Sequence, residues 1–141
     1  MLEQITYQDK ILAIIIRSSY SNNGITFFTP NDFSEQLAYM NHPKGKIIQP
    51  HFHNAIKREI LNTQEVLLVK NGKMKVNFYN KNNESVSSCI LVTGDVILLA
   101  CGGHGFEMLE NTEIFEIKQG PYLGENDKTH FVPESKDKDI V

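Results

Sequence analysis

Asn71-Gly72 stands between two apolar runs, Glu65–Lys70 and Lys73–Tyr79, and no other feature constrains the fold as strongly. A type I′ turn needs φ > 0 at both central positions, and Asn-Gly adopts it at little steric cost. The second run alternates, with Met74, Val76 and Phe78 set against Lys73, Lys75 and Asn77. A period of two with one wet face belongs to an antiparallel strand. A β-hairpin is therefore expected at 71–72. The same pattern recurs along the chain. Strands are expected at Lys10–Ser18, Gly24–Phe28, Gln36–Met40, Lys46–His53, Ser87–Val92, Val96–Ala100, His104–Leu109 and Thr112–Lys118. Between them lie clusters rich in Asn, Gly, Asp and Pro, such as Ser21-Asn22-Asn23-Gly24, Asn80–Asn83 and Thr93-Gly94-Asp95. Helical signals are confined to single turns within Pro30–Gln36 and Ala55–Asn62. So many short strands predict an all-β sandwich or barrel.

At 141 residues and 40% hydrophobic, the chain suits one domain with one core. That domain is expected over 1–132, with its core from about 36 to 120 and a flexible charged tail over 133–141. Fourteen basic and 17 acidic residues give a net charge of −3, without a basic stripe interleaved with aromatics. Nucleic acid is thus not an expected partner. Met1-Leu2-Glu3-Gln4 carries no basic n-region, and Arg17 ends the apolar run Ile11–Ile16. That run is too short for a signal peptide core or a membrane span, so a cytoplasmic protein without membrane contact is expected. Cys89 and Cys101 form no CxxC pair, and both are expected as thiols.

Three places carry chemistry. In His51-Phe52-His53 the two imidazoles lie two residues apart, so on a strand they share one face with Gln49 and Ile47. Such a pair suits Zn, Fe, Mn, Ni or Cu, though a lone HxH also arises by chance. Glu65 opens an apolar strand and shares parity with Leu67 and Val69. On a buried face it needs a cation or a donor; at a strand's mouth, water serves. His104 follows Gly102-Gly103, where the backbone can turn tightly; its alternative is a glycine-rich surface loop.

Taken together, Gly45-x5-His51-x-His53, Glu65-x6-Gly72, Gly94 and His104 resemble the two motifs of the cupin superfamily. The resemblance implies a jelly-roll β-barrel, a double-stranded β-helix, here with an N-terminal strand extension. It implies one divalent metal per chain (Zn, Fe, Mn or Ni), held by His51, His53, Glu65 and His104. It covers Gly45 to His104 in detail. The chain departs from the pattern in three ways. Residues 54–64 intervene between His53 and Glu65 and are taken as an insertion; Ala100 stands where Pro is common; and His104 comes one residue early.

Further candidates surround this set. Arg58, in the insertion, is a candidate clamp for an anionic substrate, or else a surface ion-pair partner. Glu107 is the candidate general base, or else a rim carboxylate. Cys101 is read as a small buried hydrophobe, and His42 and His130 as solvated loop residues. Gly120-Pro121-Tyr122 is expected to leave an aromatic near the barrel mouth, and loosely resembles the tails of small cupins acting on nucleotide-linked deoxysugars. The chain also looks like small cupins associated with surface-polysaccharide synthesis. The expected function is metal-dependent isomerisation or epimerisation of a small polar molecule, anionic or sugar-like. A non-catalytic ligand-binding module and a metal-dependent dioxygenase are the alternatives. A homodimer is expected, because Lys10–Phe28 is apolar enough to extend a partner's sheet.

Overall fold

The computed structural model describes residues 1–134. It is all-β, with ten strands and a single 3-10 turn at Gly124–Asp127 among the described residues. The strands are β1 (Leu2–Tyr7), β2 (Lys10–Ile16), β3 (Gly24–Phe27), β4 (Ala38–Asn41), β5 (Glu65–Asn71), β6 (Lys73–Tyr79), β7 (Ser85–Val92), β8 (Val96–Leu99), β9 (Gly103–Met108) and β10 (Glu113–Lys118). They form three antiparallel sheets. One has five strands in the order β1-β2-β8-β5-β10, one has three in the order β7-β6-β9, and β3-β4 is a separate ribbon. Among the described residues no helix is long and apolar enough to cross a membrane.

The five- and three-stranded sheets face each other across the main core. Ala13, Ile15, Leu67, Val69, Ile97 and Leu99 of the first sheet pack against Met74, Val76, Phe78 and Leu91 of the second. The alternation expected in β6 is realised, with Met74, Val76 and Phe78 buried. A second cluster lies on the other face of the large sheet. There Ile14, Ile16, Val66, Leu98 and Ala100 are covered by Phe28, Phe33, Leu37 and Tyr39 from the β3–β4 region. With both faces covered, β2 reads as an unbroken apolar run, Leu12 to Ile16, rather than an alternating one.

The structure corrects several expectations. Asn71-Gly72 is not the turn of a hairpin. β5 and β6 belong to opposite sheets, and only Gly72 has positive φ, at 111°. A Cβ at Gly72 would sit 2.5 Å from the Asn111 carbonyl oxygen, so glycine is needed for a tight corner between the sheets. The sheets also do not close into a barrel: β9 and β10 are free edges, one in each sheet. The expected strand Lys46–His53 is absent; the segment from Pro43 to Thr63 is exposed and carries no regular structure, including the turn expected at 55–62. β1 was not foreseen. It pairs with β2 through a turn in which Gln8 and Asp9 both have positive φ, a conformation usually signalled by Asn or Gly. Of the expected tail over 133–141, only Pro133 and Glu134 fall within the described residues, and Glu134 N–H donates to the Asn83 carbonyl at 2.9 Å.

One polar cluster ties the large sheet to the turn before β8. Asp95 is buried and its carboxylate accepts from Ser18 N–H at 2.8 Å, Val92 N–H at 3.0 Å and the Arg17 guanidinium at 2.9 Å. Arg17 also forms a two-pronged pair with Glu3, 2.9 Å on each arm, which holds the Glu3 carboxyl below its ordinary range. The Arg17 guanidinium also donates to the Ile90 carbonyl at 2.6 Å, so the network ties β1, β2 and β7 to the turn before β8.

Candidate functional site

Directly opposed residues of an antiparallel ladder point to the same side. β9 pairs with β6 as Phe78↔His104, Val76↔Phe106 and Met74↔Met108, so His104, Phe106 and Met108 face inward. β10 pairs with β5 as Lys118↔Glu65, Glu116↔Leu67 and Ile114↔Val69, so Lys118, Glu116 and Ile114 also face inward. Because β9 and β10 are both edges, these inward side chains line an open cleft between the two sheets. Phe106 is 40% and Met108 47% exposed, although their ladder partners Val76 and Met74 are fully buried.

At the head of the cleft, His104 Nε2 stands 2.8 Å from Glu65 Oε1. Glu65 is only 8% exposed, whereas the His104 side chain is one-third exposed. The hydrogen bond from His104 holds the Glu65 carboxyl below its ordinary range against the opposing effect of burial, with further help from Glu116 and Lys118. Glu116 is pushed the other way. Its hydrogen bond to Glu65, burial and the charge on Glu65 all raise its pKa. The two carboxyls are therefore differentiated, Glu65 as the anion and Glu116 as the one that keeps a proton longer. Glu35 also lies within reach of this charge, and burial together with Glu65 raises its pKa. Lys118 reaches toward Asp127 at 3.8 Å and lies over the Tyr122 ring at 5.7 Å, so the aromatic expected from Gly120-Pro121-Tyr122 stands beside an inward residue of β10.

The sequence-expected residues divide into two groups. Glu65 and His104 meet, 2.8 Å apart. His51 and His53 do not join them. Both lie in the exposed segment, their rings 5.2 Å apart, with His51 Nδ1 2.9 Å from the Gln49 carbonyl oxygen. Among the described residues no group of three or more His, Cys, Asp or Glu is placed to hold a metal. Within one chain, then, the four expected ligands do not fit a metal ion. Glu107 pairs with Lys75 on the opposite face of β9 from His104 and is exposed, so it cannot serve this pair as a base. Arg58 is exposed in the same segment as the histidines. Cys101 packs against the main core with its thiol 3.3 Å from the Ile11 carbonyl oxygen, which fits the reading as a small hydrophobe. His130 is exposed, while His42 is half-buried with an unpartnered Nε2.

Glu116 was missed in the sequence. Ile114-Phe115-Glu116-Ile117 suggests that Phe115 and Ile117 face the core, yet both lie on the outer face, 55% and 58% exposed. The signal that could have found Glu116 is the register with β5, because a residue opposite Leu67 must share its face.

A cavity of about 680 Å³ lies elsewhere, lined by Ile11, Phe33, Ala100, Gln64 and the segment Glu59–Asn62. Ile11, Phe33 and Ala100 belong to the second cluster, so this cavity opens on the face of the large sheet opposite Glu65. Comparison of the chain with protein-family models, with curated proteins and with solved structures found no match.

Proposed function

We propose that the protein binds a small polar molecule in the cleft between the two sheets and moves a proton on it, in a reaction of the isomerase or epimerase class. The observation that carries this reading is the His104–Glu65 pair, 2.8 Å apart, one member nearly buried and the other open to the cleft. With Nε2–H donating to Glu65, the neutral ring leaves Nδ1 as its unprotonated nitrogen. A carboxylate in that position fixes the imidazole's tautomer and stabilises the imidazolium once it forms. His104 Nδ1 then takes a proton from a carbon beside a carbonyl, while Glu116 gives its proton to the carbonyl oxygen. Returning the first proton to the neighbouring carbon, or to the other side of the same carbon once the intermediate has turned in the cleft, while a hydroxyl of the enediol gives a proton back to Glu116 as the carbonyl re-forms, completes isomerisation or epimerisation. The raised pKa of Glu116 and the lowered one of Glu65 set the acid apart from the anion, as such a division of labour requires. The apolar walls formed by Phe106 and Met108 suit a ligand with one apolar face, and Lys118 at the end of the cleft suits one carrying negative charge. Sugar phosphates and nucleotide-linked sugars have this character.

The test is deuterium wash-in. Protein is incubated in D2O with a panel of sugar phosphates and nucleotide-linked keto sugars, and exchange at the carbon beside the carbonyl is followed by proton NMR. Exchange that disappears in His104→Asn and Glu65→Gln is the expected result. Saturable binding without exchange would make the protein a ligand-binding module. Neither binding nor exchange across the panel would remove the reading.

A further inference from the structure

Residues 44–58 concentrate positive charge in an acidic chain. They hold four of its 14 basic residues, Lys44, Lys46, Lys57 and Arg58, and none of its 17 acidic ones. With a whole-chain charge of −3, the rest of the protein is left at −7. The whole stretch is exposed, and none of the four cations forms an ion pair among the described residues. Between the cations stand Ile47, Ile48, Phe52 and Ile56, all facing solvent, with Phe52 97% exposed.

The segment leaves a ribbon of similar character. β3 and β4 carry no charged residue. Ile25 lies opposite Met40 in their ladder and Phe27 is two residues on, so the three share one side. That side faces solvent, with Ile25 51%, Met40 56% and Phe27 62% exposed, while Tyr39 on the other side packs against the second cluster. Both ends of the segment are held. Lys46 N–H donates to the Pro43 carbonyl at 3.1 Å, and beyond Arg58 the chain returns to the large sheet, where Ile60 and Leu61 line the cavity with Ile11 and Phe33. The residues between are a loop fixed at two points, with its cations and apolar side chains all in solvent.

We propose that residues 44–58, together with the outer side of the β3–β4 ribbon, form a contact surface for a bilayer containing anionic lipid. Charge selects this occupant first. An anionic surface attracts the segment and repels a remainder carrying −7, so one field both recruits the molecule and orients it. The mixture of side chains selects it again. At the headgroup boundary Lys and Arg meet phosphates, while Ile and Phe enter the acyl region beneath. A nucleic acid would leave Ile47, Ile48 and Ile56 uncovered, because single strands are held on flat rings. A protein groove or sheet edge takes a regular helix or strand, and Pro50 interrupts both in the middle of the segment. The expectation of no membrane contact rested on the lack of a spanning run, and a surface contact requires none. None of this depends on the chemistry of the cleft.

The experiment floats the full chain with vesicles of phosphatidylcholine alone or of phosphatidylcholine with about one-third phosphatidylglycerol. The protein should bind the anionic vesicles and not the neutral ones, and more weakly as salt is raised. Each basic residue near an anionic surface changes partitioning about fivefold, so Lys44→Gln/Lys46→Gln/Lys57→Gln/Arg58→Gln should lower it by about 100-fold or more. Ile48→Ser/Phe52→Ser should lower it by about tenfold. Both variants should unfold in urea at the wild-type midpoint, because every replaced side chain is exposed. The chain has no tryptophan, so Phe52→Trp supplies a single reporter. Its emission should move to the blue on anionic vesicles and be quenched by lipids brominated along the acyl chain. Failure to bind anionic vesicles at low salt overturns the proposal. So does binding by the fourfold variant within about threefold of wild type. Binding that leaves the Phe52→Trp emission unchanged puts the contact on another face and overturns it as well. Retention of polyuridylate more tightly than of vesicles, lost in the fourfold variant, would give the surface to nucleic acid instead.

Discussion

A polar pair set against an apolar core is expected to weaken the fold if it is kept for chemistry, and a double-mutant cycle on Glu65 and His104 measures this. His104→Phe removes a hydrogen bond to a carboxylate that is 8% exposed. Charged hydrogen bonds contribute about 1.5–3 kcal/mol, and Glu116 can still donate to Glu65, so the lower part of that range, about 1.5–2 kcal/mol, is expected. For a chain of this size that lowers Tm by about 5–7 °C. Glu65→Leu behaves differently. His104 is one-third exposed and turns to water, while a leucine opposite Leu99 buries new apolar surface, for a gain of about 1 kcal/mol. The double variant removes both polar partners and should exceed wild type by about 1–2 kcal/mol, leaving a coupling of about 2 kcal/mol between the two sites. Urea unfolding followed by circular dichroism reads all four proteins. The pH dependence carries a definite sign. A carboxyl with a lowered folded pKa contributes stability above its unfolded value of about 4.3, and that stability fades as pH falls through the folded value. The deficit of His104→Phe should therefore be full at pH 7 and shrink in acid. Two results refute the reasoning: His104→Phe within about 0.5 kcal/mol of wild type at pH 7, or Glu65→Leu destabilised by more than about 1 kcal/mol. The first would mean that Glu65 does not depend on His104, the second that the pair serves the fold.

Asp95→Ala should cost about 3–4 kcal/mol in urea unfolding, since it strands the amides of Ser18 and Val92 and removes one partner of Arg17. Glu3→Gln, at the exposed end of the same network, should cost at most about 1 kcal/mol. Gly72→Ala should lower stability by about 2–3 kcal/mol, because φ is +111° and the new methyl would meet the Asn111 carbonyl oxygen at 2.5 Å; a Tm within a degree of wild type would contradict this account of the corner. Glu116→Gln keeps a hydrogen-bond donor to Glu65 but removes a carboxyl whose folded pKa is raised. A raised carboxyl contributes its stability below the unfolded pKa and loses it as pH rises through the folded one, so the variant should match wild type near pH 4 and melt higher at pH 8, by at most about 1 kcal/mol because Glu116 itself is exposed.

Where an element is fixed by its own residues, the sequence reading and the structure agree. Met74, Val76 and Phe78 alternate with polar neighbours and are buried as their period requires. Glu65 shares parity with Leu67 and Val69, which face the main core, and it meets His104 there. Agreement ends where a feature depends on which strand lies beside which. Asn71-Gly72 has the composition of a hairpin turn, and only the pairing of β5 with β8 and β10 shows that the chain changes sheets there. Glu116 and Glu107 look alike in sequence, yet register places one on the inner face and the other on the outer. β1 escaped notice because its turn, Gln8-Asp9, uses residue types that seldom signal positive φ.

The segment from Pro43 to Thr63 is the deeper case, because its period and its environment disagree. Ile47, Gln49, His51 and His53 have the parity of one strand face, and the flanking apolar residues argue for burial. Period alone cannot say whether the burying surface belongs to the same chain. In a single chain the segment finds no ladder partner, although two edges of suitable length stand open. The expected metal ligands divide in the same way. Glu65 and His104, on β5 and β9, are positioned by ladders within the chain and come together; His51 and His53 have no ladder to place them and do not.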